Sequence, residues 1–294
     1  MIWNLLKEDY LKKIIVIAYL VNPILLFEQV SQAHIDVFLC RSLILLILSI
    51  NFQYLFLSVM LIWVGILTKT IPIIWMPLMF FYLSSKKKYN TLILSFLASI
   101  AVICIVSFVC LGSLDAWSSL TNPGVSFRTN RSLHIFLITI FRNITNILPS
   151  FLSGEYAYRV YLLSKWISYM AYILYYAATL YGMYWGIRKK SDSEIHLILT
   201  IGWTSLLLFL FATPGNPSWY VTILIPIAFL VFPIKDSDVQ RFVNTSLIFC
   251  LSSYTYYLFT LKGSSDFLLG VDGLIAFIPT TIYLILPKTS KELK

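Results

Sequence analysis

Long runs of hydrophobic residues, separated by short polar stretches, make up most of this chain. A helix that crosses a membrane needs about 20 apolar residues, and fewer where its polar ends are buried in protein. Ten runs approach that length, so we predict an all-α, polytopic membrane protein with about ten transmembrane helices in a single domain over residues 1–294. The predicted spans are 14–27, 37–50, 54–67, 71–83, 92–111, 160–187, 196–212, 221–232, 242–261 and 274–286.

The run 133–152 differs from these because it contains polar residues and ends at a proline. It carries Arg142, Asn143 and Asn146 and is followed by helix-breaking Pro149. We expect a helix that lies along the extracytoplasmic surface. A spanning helix is the alternative.

Composition supports a membrane protein over a water-soluble one. Of the residues 59% are hydrophobic and 12% are charged, and the mean hydropathy is +0.82. Soluble domains are about 25% charged, so a single water-soluble core is excluded. The 16% aromatic content is typical of the interfacial belts of membrane proteins. The net charge of +9 comes from short loop clusters, which indicate membrane orientation and no nucleic-acid partner.

Basic residues predict the orientation. If the ten spans alternate, five basic clusters fall on one side, which is then the cytoplasm. The clusters are 12–13, 86–88, 188–190, 235–241 and 288–294. The stretches richest in polar residues and helix breakers then lie on the opposite face. The abundance of Ile, Lys, Asn and Tyr favours a bacterial plasma membrane protein, and we expect its site on the extracytoplasmic face.

The stretch NPILLFEQVSQAHIDVF, residues 22–38, carries the first candidate chemistry. Pro23 is expected to kink the first span. Charges at membrane depth are rare and usually functional, so Glu28 and Asp36 are the candidate catalytic acids. A carboxylate in a half-dry cleft can act as a general base on a hydroxyl group. His34 is a candidate substrate-binding residue, although a lone histidine is more often structural.

A structural role for Asp36 is equally open. In that interpretation Asp36 pairs with Arg41 or Lys69 and only fixes helix packing. Lys69 lies in TKTIPIIWMP, where two prolines break the chain between apolar runs. A lysine near the lipid surface suits a phosphate group, and snorkelling to the headgroups is its alternative role.

Two further stretches on the predicted outer face add candidate substrate-binding residues. Arg128 and Arg131 lie in a long polar loop and can clamp a phosphate. Trp219 and Tyr220 follow two prolines in TPGNPSWY. They can stack on a sugar or lipid, or they can simply belong to the interfacial aromatic belt.

These stretches together resemble the GT-C superfamily of multi-pass glycosyltransferases, especially the polyprenyl- or dolichyl-phosphate-mannose-dependent mannosyltransferases. Asn22-Pro23 with Glu28, His34 and Asp36 is similar to the "NP…E…gH.D" stretch between two early spans. The motif from Thr68 to Pro72 is similar to a "K-x-x-P" element, and Asn216-Pro217 with Trp219-Tyr220 and Pro226 is similar to a "P-W-Y…P" turn. The resemblance covers residues 21–226.

The resemblance implies inverting transfer of a sugar from a polyprenyl-phosphate donor to an acceptor hydroxyl on a glycan or lipid. Mannose is the sugar that we expect. GT-C enzymes carry their principal acid in a loop ahead of the "NP" segment. The chain therefore resembles the family without its first spans. It is expected to be a truncated form or one with an N-terminal partner fragment, and the alternative is that Glu28 and Asp36 have taken over the role of that acid. The alternatives are a lipid-linked glycan transporter, flippase or polymerase-like protein, and a non-catalytic membrane scaffold subunit.

The sequence calls for no cofactor beyond the lipid-linked donor, and metal dependence is left open because no acid pair has metal-ligand spacing. The cysteines, Cys40, Cys104, Cys110 and Cys250, all lie inside apolar runs without such spacing. We expect them to be buried, inert thiols.

Overall fold

The computed structural model describes residues 9–27, 36–113, 117, 133, 137, 153–186, 193–212, 218–255 and 266–286. Within these ranges every regular element is helical, which confirms the all-α fold class. Short 3-10 helices cover Ile71–Ile74 and Ser218–Ile223, and π-helical turns cover Val106–Cys110 and Leu208–Ala212. The helices are α1 (Asp9–Leu20), α2 (Pro23–Leu25), α3 (Asp36–Asn51), α4 (Leu55–Thr68), α5 (Trp75–Ser85), α6 (Tyr89–Ile105), α7 (Ser153–Gly186), α8 (Ser193–Leu207), α9 (Leu224–Val231), α10 (Ser237–Ser253) and α11 (Asp266–Ile285).

Each of the ten predicted spans overlaps one or two of these helical elements. Positions 187 and 256–261 of the predicted spans lie outside the described residues. Among the described residues, two helices are long and apolar enough by themselves to cross a membrane, Tyr89–Cys110 and Glu194–Ala212. The count of ten spans therefore stays a prediction. The predicted surface helix at 133–152 lies outside the described residues except for positions 133 and 137.

The chain divides into two compact units. The first contains Met1–Val125 and Thr179–Ile201, and the second contains Ser126–Ala178 and Gly202–Lys294. Both α7 and α8 contribute residues to each unit. The expected single domain stays a prediction.

An antiparallel hairpin of α3 and α4 forms the centre of the first unit. Apolar residues recur every three or four positions along α3 and fill one face of it, and the same spacing continues along α4. The fully buried members are Leu39, Leu43, Leu46, Ile47, Ile50, Val59 and Ile62. The hydroxyls of Ser49 and Ser58 bond across the hairpin at 2.7 Å. Small polar side chains of this kind let helices approach closely and hydrogen-bond in a lipid environment.

The chain folds back sharply after α4. A Cβ atom on Gly65 would lie 2.9 Å from Cγ of Pro72, so glycine is needed for this close approach. Pro72 suits the first turn of the 3-10 helix, where no backbone donor is required. The indole of Trp63 donates to the hydroxyl of Ser99 at 2.8 Å and ties α4 to α6. The sequence thus fixes where α4 ends and where the next segment packs.

The expected kink at Pro23 is a complete break between two helices. Helix α1 ends at Leu20, and the side chain of Asn22 caps α2 by accepting from the amides of Ile24 and Leu25 at 3.0 and 3.2 Å. Asparagine at the N-cap followed by proline at the first helical position favours starting a new helix over bending an old one. The kink prediction was wrong for this reason.

In the second unit, α10 and α11 pack together. Asp236 caps α10 by accepting from the amides of Asp238 and Val239. Arg241 donates to the backbone carbonyls of Leu284 and Leu286 at the end of α11. A cation at a helix C-terminus is favoured because it meets the unpaired carbonyls there.

The prediction of buried cysteines was wrong for two of the four. Cys40 and Cys250 are buried, whereas Cys104 and Cys110 are exposed on the helical segment Tyr89–Cys110. Only 17% of the apolar window in that segment is buried. An apolar run in a membrane protein can face lipid, so hydrophobic neighbours in sequence do not establish burial.

Candidate functional site

The candidate site lies at one end of the α3–α4 hairpin, where two charged residues occupy helix ends. Asp36 is the first residue of α3, and Lys69 directly follows α4. An acid is favoured at a helix N-terminus and a cation at a helix C-terminus because of the helix dipole. The antiparallel arrangement of the two helices therefore brings two favourably placed, opposite charges to the same end.

These two residues form a buried ion pair. Nζ of Lys69 donates to Oδ1 of Asp36 at 2.6 Å, and the side chains are 15% and 4% exposed respectively. Of the two partners that the sequence offered for Asp36, the structure has Lys69, while Arg41 is exposed. The two residues predicted separately for catalysis and for phosphate binding thus belong to one site.

Burial makes this pair costly, and one of its atoms has no partner in the part of the chain that the structure describes. Oδ2 of Asp36 is buried without a hydrogen-bond partner among the described residues. Burial lowers the pKa of the Lys69 ammonium from its usual range, while the charge of Asp36 and its hydrogen bond act in the opposite direction. A buried polar atom without a partner costs about 1–3 kcal/mol, more for a charged group. An incoming hydroxyl or amide donor at Oδ2 would remove this cost.

Cys40 joins this site and was passed over as an inert thiol. It is buried and lies close enough to contribute a smaller electrostatic influence on the pKa of Lys69. Cys40 stands four positions after Asp36 on α3, and residues at that spacing share a helix face. The spacing alone could have identified it as a neighbour of the ion pair.

Four of the other predicted site residues, Glu28, His34, Arg128 and Arg131, lie outside the described residues. Trp219 and Tyr220 belong to the second unit, in the 3-10 helix Ser218–Ile223. Tyr220 is half-buried, with its ring centroid 6.5 Å from that of Phe209. The structure therefore brings Asp36 and Lys69 together, and the roles of the other six stay predictions.

A second polar network, which the sequence did not predict, lies at the opposite end of the hairpin. Oε1 of Glu194 accepts from Nε2 of Gln53 at 2.9 Å and from the hydroxyl of Tyr82 at 3.0 Å. Nζ of Lys86 lies 3.6 Å from the same atom. The only local signal was an acid in the first turn of α8.

Among the described residues, no group of three His, Cys, Asp or Glu side chains is arranged to hold a metal ion. No protein-family model, curated protein or solved structure matches this chain.

Proposed function

We propose that this chain is an integral membrane glycosyltransferase of about ten spans. It transfers a sugar, for which mannose is the leading candidate, from a polyprenyl-phosphate donor to an acceptor hydroxyl. The transfer takes place on the extracytoplasmic face of a bacterial plasma membrane. The observation that carries the proposal is the buried Asp36–Lys69 pair, in which Oδ2 of the acid has no described partner. A base and a phosphate-binding cation are the two groups that this transfer requires.

The exposed apolar surface supports the membrane placement. The segment Tyr89–Cys110 has a mean hydropathy of 2.8 over its most apolar window, and that window is mostly exposed. Large apolar side chains along it, such as Leu97 and Phe108, are more than half exposed. Apolar patches of this extent are rare on monomeric soluble proteins, and lipid chains would cover them.

The chemistry follows from the pair. The acceptor hydroxyl donates its proton to Oδ2 of Asp36 as its oxygen forms a bond to the anomeric carbon. The bond from that carbon to the phosphate oxygen breaks, and the electron pair leaves with the polyprenyl phosphate. The Lys69 ammonium stabilises the charge on that phosphate. Inversion at the anomeric carbon follows from a single displacement.

The remaining predicted residues complete this proposal as further contacts. Glu28 is a second acid beside the acceptor, and His34 binds substrate near it. Arg128 and Arg131 clamp the donor phosphate, and Trp219 and Tyr220 stack on the sugar or the lipid. These roles rest on the sequence alone.

The same ion pair also favours a second candidate, a non-catalytic membrane subunit. A short buried ion pair between two helices can fix their register without any chemistry. In such a subunit Asp36 and Lys69 would stabilise the hairpin, and no sugar would be transferred.

Transfer of radiolabelled mannose from polyprenyl-phosphate-mannose in membranes that contain the chain tests the proposal. We expect transfer by the wild type and a loss of about 10²–10⁴-fold in D36N, because the general base is removed. E194Q is the matched control, since it neutralises an acid at the other end of the same hairpin, and it should retain transfer. Absence of transfer by the correctly inserted wild type would leave the subunit as the better account.

A further inference from the structure

A cavity of about 560 Å³ opens at the end of the α3–α4 hairpin that lies away from the buried ion pair. Its walls combine polar groups with hydrocarbon. The polar lining residues are Gln53, Tyr54, Lys88 and Thr91, and the apolar ones are the consecutive residues 55–57 at the start of α4. This composition suits a ligand with a polar headgroup and an apolar tail.

The charge at the mouth of the cavity is positive. Three consecutive lysines precede α6, and they differ in their surroundings. Lys86 is paired with Glu194, and Lys87 is exposed and does not line the cavity. Lys88 lines it, and the structure gives its side chain no ion pair with any described residue. No acidic residue is among the described residues that line the cavity, and Glu194, which bonds to the lining residue Gln53, is paired with Lys86. The charge that the described lining carries is that of Lys88, which suits an anion.

Gln53 forms part of one wall of the cavity. It adopts a left-handed backbone conformation with φ of 61°, and its amide nitrogen donates to Glu194. The side-chain nitrogen of Gln53 is thereby engaged within the protein. Lys88 and the hydroxyl of Thr91 remain to receive a ligand.

Apolar surface continues from the cavity along two packed helices. Phe56 and Leu57 on α4 are 37% and 48% exposed, and Ile93 and Leu94 on α6 are both more than half exposed. The contact of Trp63 with Ser99 shows that α4 and α6 pack against each other farther along. A hydrocarbon chain would cover this surface while its headgroup stays beside Lys88.

We propose that this cavity binds an anionic phospholipid, with the headgroup phosphate at Lys88 and Thr91 and an acyl chain against residues 55–57 and α6. Basic pockets between helices on the cytoplasmic side of membrane proteins suit such headgroups. The inference rests on the membrane placement proposed above, but not on sugar transfer. Helix α3 has 16 residues, about 24 Å at 1.5 Å per residue, so this site is separate from the Asp36–Lys69 pair.

Native mass spectrometry of the purified full chain, titrated with phosphatidylglycerol or with phosphatidylcholine, tests the proposal. We expect K88Q to weaken phosphatidylglycerol binding about tenfold or more, because a charge-assisted hydrogen bond to phosphate is lost. K87Q is the matched control, since it removes a neighbouring charge that does not line the cavity, and we expect a change of less than about fivefold. T91V should weaken binding by less than K88Q.

Three results would overturn the proposal. Equal losses in K88Q and K87Q would show that the cluster attracts anionic lipid without a site. Equal binding of phosphatidylcholine would remove the role of charge, and displacement of the lipid by millimolar inorganic phosphate would show a phosphate site with no lipid specificity. Because the readout is lipid binding, these results are independent of whether the chain transfers sugar. A thermal unfolding curve for K88Q that matches the wild type excludes misfolding as the cause.

Discussion

The two ends of the α3–α4 hairpin each place a carboxylate beside a lysine, but in different surroundings. At one end, Asp36 is 4% exposed and bonds to Lys69 at 2.6 Å. At the other end, the Glu194 and Lys86 side chains are 25% and 33% exposed and lie 3.6 Å apart. Solvent screens the attraction within the second pair. Burial of the first pair has a desolvation cost, which its one short contact offsets in part.

This difference is the reason why we place the proposed chemistry at the Asp36–Lys69 end. The Glu194 carboxylate is satisfied by Gln53 and Tyr82 as well as by Lys86. Asp36 keeps a buried oxygen without a described partner. A partly exposed carboxylate with several partners fixes helices at low cost. A buried carboxylate oxygen that has no partner among the described residues is costly unless a ligand completes it. The buried end of the hairpin, at Asp36 and Lys69, is therefore our candidate for chemistry.

The largest effect on stability is expected from removing one partner of the buried Asp36–Lys69 pair. K69M leaves the Asp36 carboxylate buried without its cation, and we expect a loss of about 3–5 kcal/mol in the free energy of unfolding. Denaturant titration in detergent micelles measures it. The double variant D36N/K69M should recover much of the loss, because no buried charge remains. A K69M cost no larger than that of E194Q would contradict the contrast between the two ends.

A smaller effect is expected from the glycine that holds Lys69 in place. G65A puts a methyl group 2.9 Å from Pro72, and we expect a cost of about 1–3 kcal/mol from overpacking. G182A is the matched control, because a Cβ atom on Gly182 of α7 meets nothing within 4 Å. That variant should be neutral or gain up to about 1 kcal/mol from helix propensity. Equal thermal shifts in the two variants would show that the approach of Pro72 is not tight.

The smallest effect on stability is expected at the partly exposed end of the hairpin, where Glu194 meets Lys86. E194Q removes the charge that Lys86 meets but keeps an oxygen that can accept from Gln53 and Tyr82. We expect a loss of at most about 1 kcal/mol, and less at high salt. The same denaturant titration at two salt concentrations measures it. A loss above about 3 kcal/mol in the free energy of unfolding would mean that the Glu194–Lys86 pair stabilises the protein as much as the Asp36–Lys69 pair does.

The helices could be predicted from sequence because long apolar runs have few other structures available to them. The choice of Lys69 over Arg41 as the partner of Asp36 also has a local reason. Arg41 stands five positions after Asp36, and at that spacing two side chains do not share a helix face. The start of α2 at Asn22-Pro23 was equally readable as a capping signal.

The Glu194 network could not be predicted in this way. Gln53 and Glu194 are 141 positions apart, and Tyr82 and Glu194 are 112 apart. Neither pair follows from helix periodicity, since their contact depends on how distant helices pack. Oδ2 of Asp36 has no partner among the described residues, and this too depends on packing. The sequence could therefore identify the acid but not which of its oxygens is paired.

Kinetic constants measured separately for variants of Asp36 and of Lys69 test the central claim most directly. Sugar transfer would be measured per mole of folded protein, with the folded fraction taken from size-exclusion chromatography. Our account predicts that D36N lowers kcat about 10²–10⁴-fold with donor KM nearly unchanged, and that K69Q raises the KM for the polyprenyl-phosphate donor. Wild-type kcat and KM in the folded fraction of both variants would contradict it and assign the pair to helix packing alone.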